Sequence, residues 1–251
     1  MSHNFRTRLQ NGERLCGTMV TLPTPAIAEI LAAAGFDWLF VDGEHGPLDT
    51  EQILAVLQAV DDRIPCIVRV PAADQTLIKR VLDLGAAGII VPQVNTADMA
   101  RQVVSAARYA PDGDRGVGLA RAHGYGMKFQ DYMSVANEQT AVIVQAEHAS
   151  AVENIESIVT VPGVDAVLIG PYDLSASLGK MGEIDDPVVT TAIDRVTTAC
   201  QTAGIPLGYF GVNADAVQPY SQRGYNLLVA GTDTLFLGTA ASQTLRALRE
   251  L

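Results

Sequence analysis

Short runs rich in valine and isoleucine alternate with longer segments of helical period along this chain, and no other feature limits its fold so tightly. Eight runs have this character: 15–22 (LCGTMVTL), 38–41 (WLFV), 66–70 (CIVRV), 88–92 (GIIVP), 141–146 (AVIVQA), 166–170 (AVLIG), 206–210 (PLGYF) and 227–230 (LLVA). Strands of a parallel sheet are covered on both faces, so they read as near-continuous apolar runs of this kind. The segments between them, such as TEQILAVLQAVD and DPVVTTAIDRVTTACQTAG, begin near Thr, Ser, Asp or Asn, and several end at Gly, as capped helices do. Eight strand–helix pairs in 251 residues predict an α/β fold, a single-domain (β/α)8 TIM barrel over 1–251, since such a barrel takes roughly 250 residues.

Composition removes several function classes. The chain is 48% hydrophobic and 18% charged, enough for a full core, and its formal charge of −11 repels phosphate backbones, which argues against a nucleic-acid partner. The opening MSHNFRTRLQNGERL has no apolar leader core, and no stretch approaches the ~18 apolar residues of a membrane span. The expectation is a cytoplasmic protein without a membrane partner. Cys16, Cys66 and Cys200 lack metal-type spacing and lie in or beside apolar segments, so they read as reduced core residues. The longest interruption, 111–127 (PDGDRGVGLARAHGYGM), precedes an extra helix at 128–138, and a loop of that length is more often functional than idle.

In a parallel barrel, chemistry gathers where strands end and the βα loops begin. The second run delivers Asp42, Glu44 and His45; the third carries Arg69; the fourth is followed by Gln93. The fifth delivers Gln145, Glu147 and His148, the sixth Gly170, Pro171 and Asp173, and the seventh ends at Phe210. Five strands therefore send polar groups toward one mouth. Glu147 and Asp173 supply the hard oxygen ligands that Mg2+, Mn2+ or Co2+ take, while strand alternation points His148 away. Each carboxylate alone also reads as a helix cap. Asp42 and His45 read as a dyad in which the carboxylate orients the imidazole for proton transfer, or as an Asx-turn around Gly43 with Glu44 merely solvated. Arg69 lies inside an apolar strand, where a charge needs a partner. Its partner is either Asp42 or Glu44, or an anionic ligand.

Other chemistries lack their parts. Lys79, Lys128 and Lys180 all lie off the strands, which excludes a Schiff-base lysine inside the barrel. GVGLAR does not complete a dinucleotide fingerprint. VAGTDT, after the eighth run, reads equally as a phosphate-binding helix start or as a plain capped turn.

Taken together, DGEHGP, VRVP, GAAGIIVPQV, YAPDGDRGVGLARAHGYG, QAEH and GPYDLS resemble the HpcH/HpaI aldolases, metal-dependent class II pyruvate aldolases, in order and over nearly the whole chain. The resemblance implies reversible aldol cleavage or addition between pyruvate, or a related 2-keto acid such as hydroxypyruvate, and an aldehyde. It implies a divalent ion on Glu147 and Asp173, a base at His45 supported by Asp42, and Arg69 and Gln145 near the keto acid. Backbone N–H groups in the GPYD turn, which opens at Gly170 and Pro171, would hold the substrate carboxylate. The hydrophobic end of the seventh run, GYFG, is a local departure from the family, and Phe210 there is expected to narrow the acceptor pocket. The resemblance also implies a homo-oligomer, a hexamer built as a trimer of dimers that exchange their last helix. Two alternatives are a citrate-lyase-type acyl-CoA lyase and a barrel that binds keto acids without catalysis.

Overall fold

The computed structural model describes residues 4–251; Met1–His3, the first three residues of the segment read as lacking a leader, lie outside the described residues. The eight runs form β1 (Leu15–Val20), β2 (Trp38–Asp42), β3 (Cys66–Arg69), β4 (Gly88–Val91), β5 (Ala141–Ala146), β6 (Ala166–Ile169), β7 (Leu207–Gly211) and β8 (Leu227–Thr232). They pair in parallel, in chain order, and β8 closes on β1. The fold is the expected single-domain barrel.

Alternation along the strands builds two cores. Leu15, Met19, Trp38, Phe40, Ile67, Ile90, Ile143, Leu168 and Val229 fill the interior, while the opposite faces pack under the surrounding helices. The base of the interior is plugged by a helix that the apolar periodicity did not reveal, Phe5–Gln10. Its buried Phe5 and Leu9 join the interior cluster, with Phe5 against Trp38 at 5.6 Å between ring centroids. Burying two such side chains stabilises the closed base by about 1.5–3 kcal/mol each.

Most strand ends differ from the sequence reading by one or two residues. β4 stops before Pro92, which has no N–H to donate to a ladder. The segment after β5 forms two short helices, Ala149–Glu153 and Ile155–Ile158, parted at Asn154, whose side chain donates to the Ser150 and Asn95 carbonyls.

The long loop is corrected more substantially. It follows the helix Ala97–Ala107, which carries the chain back to the N-terminal end of the barrel, so residues 111–127 lie on that face and the outer flank. There Arg115 pairs with Asp83 at 2.8 Å, Arg121 donates to the Leu84 carbonyl, and His123 is fully buried beside Tyr109. The loop is therefore no part of the mouth of its own barrel. The extra helix is present as Phe129–Gln139. Cys66 and Cys200 are core residues, their thiols pushed up to about 12 by burial, whereas Cys16 lies on an exposed position of β1. The last helix, Asp233–Arg249, buries Asp233 and leaves every later residue exposed, Leu235, Phe236, Leu237, Leu245 and Leu248 among them. Among the described residues, no helix is long and apolar enough to cross a membrane.

Candidate active site

β2 and β3 place Asp42 and Arg69 side by side, and the two are joined by a bidentate pair. Arg69 Nε lies 2.8 Å from Asp42 Oδ1 and Nη2 lies 2.8 Å from Oδ2, with the guanidinium over the Phe40 ring. Arg69 Nη1 reaches Glu44 Oε2 at 3.2 Å. Of the two partners foreseen for Arg69, the neighbouring acids are thus both realised. Three of the five guanidinium N–H groups face these acids, and the other two stay available to a ligand. Burial would raise the Asp42 pKa, but the hydrogen bonds and charge of Arg69, with the N–H groups of Glu44 and His45, hold it below the usual carboxylate range.

The dyad reading is corrected here. Asp42 Oδ1 accepts the backbone N–H groups of Glu44 (3.1 Å) and His45 (3.4 Å), which is the Asx-turn, and does not bind the imidazole. The physical reason is that Arg69 already occupies both Asp42 oxygens. The His45 ring is 66% exposed, and its Nε2 lies 3.7 Å from Glu44 Oε2, beyond hydrogen-bond range. Glu44 is accordingly not a solvated bystander. It is half-buried between Arg69 and His45, and burial raises its pKa. Gly46 lets this loop fold tightly, because a Cβ there would sit 2.5 Å from the Asp42 carbonyl and 3.3 Å from that of Thr21.

Across the mouth, Glu147 is 2% exposed. Its Oε1 accepts the Gln93 N–H at 2.9 Å, and its Oε2 accepts Gln145 Nε2 at 2.7 Å. Gln93 makes its contact from a backbone at φ +55°, a conformation that costs a non-glycine residue about 1–3 kcal/mol. Burial pushes the Glu147 carboxyl up to about 7; Asp173 and Glu44 add to this, against the Gln93 N–H and the Arg69 charge. Gly170 admits this carboxylate, since a Cβ there would come within 2.8 Å of Glu147 Oε2. Buried Pro171 opens the helix Pro171–Ser177, which carries the exposed Asp173 in its first turn. Neither acid is a cap: His148 Nδ1 accepts the Ser150 N–H as the cap of Ala149–Glu153, and Gly170 holds the cap position before Pro171.

These groups fit a hard divalent ion. Glu147 lies buried among like charges, each of its oxygens has one protein donor and a lone pair to spare, and the buried Gln145 Oε1 has no protein partner. Among the described residues, no three His, Cys, Asp or Glu side chains are grouped to hold a metal. An ion on Glu147 and Asp173 would therefore take its remaining ligands from water and substrate, as an open catalytic site requires.

Phe210 is the penultimate residue of β7, half-buried against the interior cluster. VAGTDT resolves as the capped turn. Thr232 caps the last helix, and buried Asp233 accepts the N–H groups of Thr21, Leu22 and Thr234, so a carboxylate already stands where an anion would bind. A cavity of about 510 Å3 opens on the N-terminal face beside Asp61, Arg121 and Lys128 and is lined by none of the mouth residues. The sequence placed Gln93 and Glu44 at the mouth and Glu44 as a partner of Arg69, but not the Gln93 backbone N–H on Glu147, which depends on a φ no motif announces.

The family model described as HpcH/HpaI aldolase/citrate lyase matches residues 16–239. A 4-hydroxy-2-oxovalerate aldolase of Novosphingobium aromaticivorans is 40% identical over 250 residues, covering 99% of this chain and 95% of the relative. A 2-keto-3-deoxy-L-rhamnonate aldolase of Escherichia coli O17:K52:H18 is 39% identical, covering 98% and 92%. The crystal structure of a HpcH/HpaI aldolase/citrate lyase family protein from Burkholderia cenocepacia J2315 superposes with a TM-score of 0.94 at 40% identity, covering 98% of this chain and all of that one.

Proposed function

Since the chain belongs to the HpcH/HpaI aldolase/citrate lyase family and is a class II aldolase, a carbon–carbon lyase, we propose that its mouth joins and splits pyruvate, or a close 2-keto acid, and an aldehyde with Glu147 and Asp173 holding the divalent ion. The observation that carries this reading is Glu147: a carboxylate buried at the end of β5 among like charges, with its oxygens half-satisfied. The family is divalent-metal dependent, and we take the ion to be Mg2+, Mn2+ or Co2+. When bound, it supplies Lewis-acid polarisation of the keto acid.

The chain's own groups do the rest. The two spare N–H groups of Arg69 face the oxyanion that develops as the C3 proton leaves, and Asp42 and Glu44 fix the plane of that fork. Gln145 holds Glu147 and offers its free Oε1 toward the keto acid or a water beside it. The first-turn N–H groups after Gly170 and Pro171 orient the substrate carboxylate. His45, exposed at the rim, shuttles the proton between C3 and the aldehyde oxygen through a bound water. An acyl-CoA lyase would want a basic groove at this mouth, and its four carboxylates argue against one.

We also place the enzyme in the cytoplasm and take it to be a homo-oligomer, a hexamer that is a trimer of dimers. The exposed Leu235, Phe236, Leu237, Leu245 and Leu248 of the last helix are covered by a second copy that receives it. Exchange of the pyruvate C3 protons for deuterium, followed by NMR, tests the central step. Exchange that needs added Mg2+, Mn2+ or Co2+ and stops with chelator supports the reading; exchange indifferent to chelator refutes it.

A further inference from the structure

His45 is placed by its loop and not by its own side chain. Arg69 and Glu147 are buried and bonded through both ends of their polar groups, whereas the largely exposed imidazole has its Nε2 3.7 Å from Glu44 Oε2. The ring therefore goes where the 42–46 turn carries it. One end of that turn hangs on Asp42, which accepts the N–H groups of Glu44 and His45. The other end rests on Thr21, since a Cβ on Gly46 would lie 3.3 Å from the Thr21 carbonyl oxygen.

Thr21 depends on an acid outside the groups described so far. The β1–β2 ladder ends at Val20 and Val41, and just past it the N–H groups of Thr21 and Leu22 both turn to Asp233 Oδ2, at 2.8 Å each. Asp233 Oδ1 accepts the Thr21 hydroxyl at 2.6 Å and the Thr234 N–H at 2.8 Å. The carboxylate is 3% exposed, and these donors are all neutral. A buried charge is costly, and here it holds one strand end; an amide in its place, with a single acceptor atom, would lose the bonds to one oxygen. Asp233 is itself held. It opens the last helix, which Thr232 caps through the Leu235 N–H. Phe236 then lies over Gly231, where a Cβ would meet the ring at 2.5 Å, and stacks on Phe36.

Building on the aldolase reading, we propose that Asp233 is a positioning residue for proton transfer: by fixing Thr21 it sets the turn that carries His45. Removing its charge should slow the chemical step and spare binding. The test is a double-mutant cycle on the intact enzyme with Mg2+ and pyruvate, following exchange of the C3 protons for deuterium. Asp233→Asn keeps the size of the side chain; kcat should fall by about 10- to 10²-fold, the scale of a misplaced catalytic group, while KM for pyruvate and the Mg2+ affinity hold within about twofold. In a His45→Ala background the same substitution should change kcat by less than about twofold, because a residue that acts through the imidazole then has nothing to act on. Thr21→Val loses only the hydroxyl bond; it should show the same pattern on a smaller scale, and it carries the test should Asp233→Asn fail to fold. Losses that add in the two backgrounds, or an unchanged kcat in Asp233→Asn, overturn the inference and leave the aldolase reading standing. No C3 exchange by the wild type overturns both.

Discussion

Two buried arginine–carboxylate clusters stand at opposite ends of this barrel, and they differ in how completely their bonds are satisfied. At the base, Asp165 Oδ1 accepts Arg6 Nε (2.7 Å) and Gln10 Nε2 (3.0 Å), and Oδ2 accepts Arg108 Nη2 (3.2 Å) and the Val142 N–H (2.8 Å). Arg108 also donates to the Thr140 carbonyl, and Arg6 to those of Asn137 and Glu138. One acid faces two cations, and every lone pair of the carboxylate is used. At the mouth, Asp42, Glu44, Glu147 and Asp173 gather around a single guanidinium, that of Arg69, each Glu147 oxygen has a single donor, and Gln145 Oε1 lacks a hydrogen-bond partner. A saturated cluster holds the chain together. An unsaturated one with surplus negative charge is built to receive something.

The sharpest way to break this contrast is Glu147→Gln, which should reduce aldol turnover to background while leaving the thermal midpoint no lower, because it removes a buried charge the fold does not need. A parallel loss of activity and stability would make Glu147 another structural acid. Next in size is His45→Ala, expected to slow aldol cleavage by about 10²- to 10⁴-fold, as loss of an acid–base group does. Metal affinity, read by titration, should hardly change. Cleavage at the parental rate would remove the imidazole from the chemistry. At the base, Asp165→Ala should cost about 3–5 kcal/mol by denaturant unfolding, since it strands the buried Arg108 and half-buried Arg6 guanidinium groups, while activity per folded molecule persists. A variant that is stable but inactive would erase the distinction between the two ends.

The smallest effect is a difference in pH dependence. In chelated protein the Glu147 pKa of about 7 exceeds the unfolded value of about 4.3, so its contribution to stability is full below that value and is lost as pH rises through about 7. Asp42 works the other way: its folded pKa is lowered, so its contribution is present above about 3.9 and is lost only as pH falls further. Thermal midpoints measured with chelator from pH 5 to 8 should therefore decline less steeply in Glu147→Gln than in wild type. Asp42→Asn should leave the slope in that window unchanged.

What could be read in advance followed from periodicity. The eight apolar runs named the strands and their order, and strand ends named the wall to which Arg69, Gln145, Glu147 and Asp173 belong. What escaped depends on who is nearest in space. Asp42 precedes His45 by three residues, which suggested a dyad, yet its lateral neighbour in the β2–β3 ladder is Arg69, and that guanidinium takes both oxygens. The 111–127 loop read as functional from its length alone, and its place after a helix puts it on the face opposite the mouth. The Asp165 cluster joins residues as much as 159 apart in the chain, a distance at which periodicity carries no information. Cys16 lies in an apolar run but at an outward, exposed position near the start of β1.

Where a divalent ion settles is the most direct measure of the contrast between the two ends. Crystals grown with Mn2+ and pyruvate, with data collected for anomalous scattering, should show one strong site per chain, bonded to Glu147 and Asp173 and to no group at the base, and Glu147→Gln should abolish it. Manganese bound elsewhere with that pair bare, or an undiminished peak in Glu147→Gln, would contradict the account.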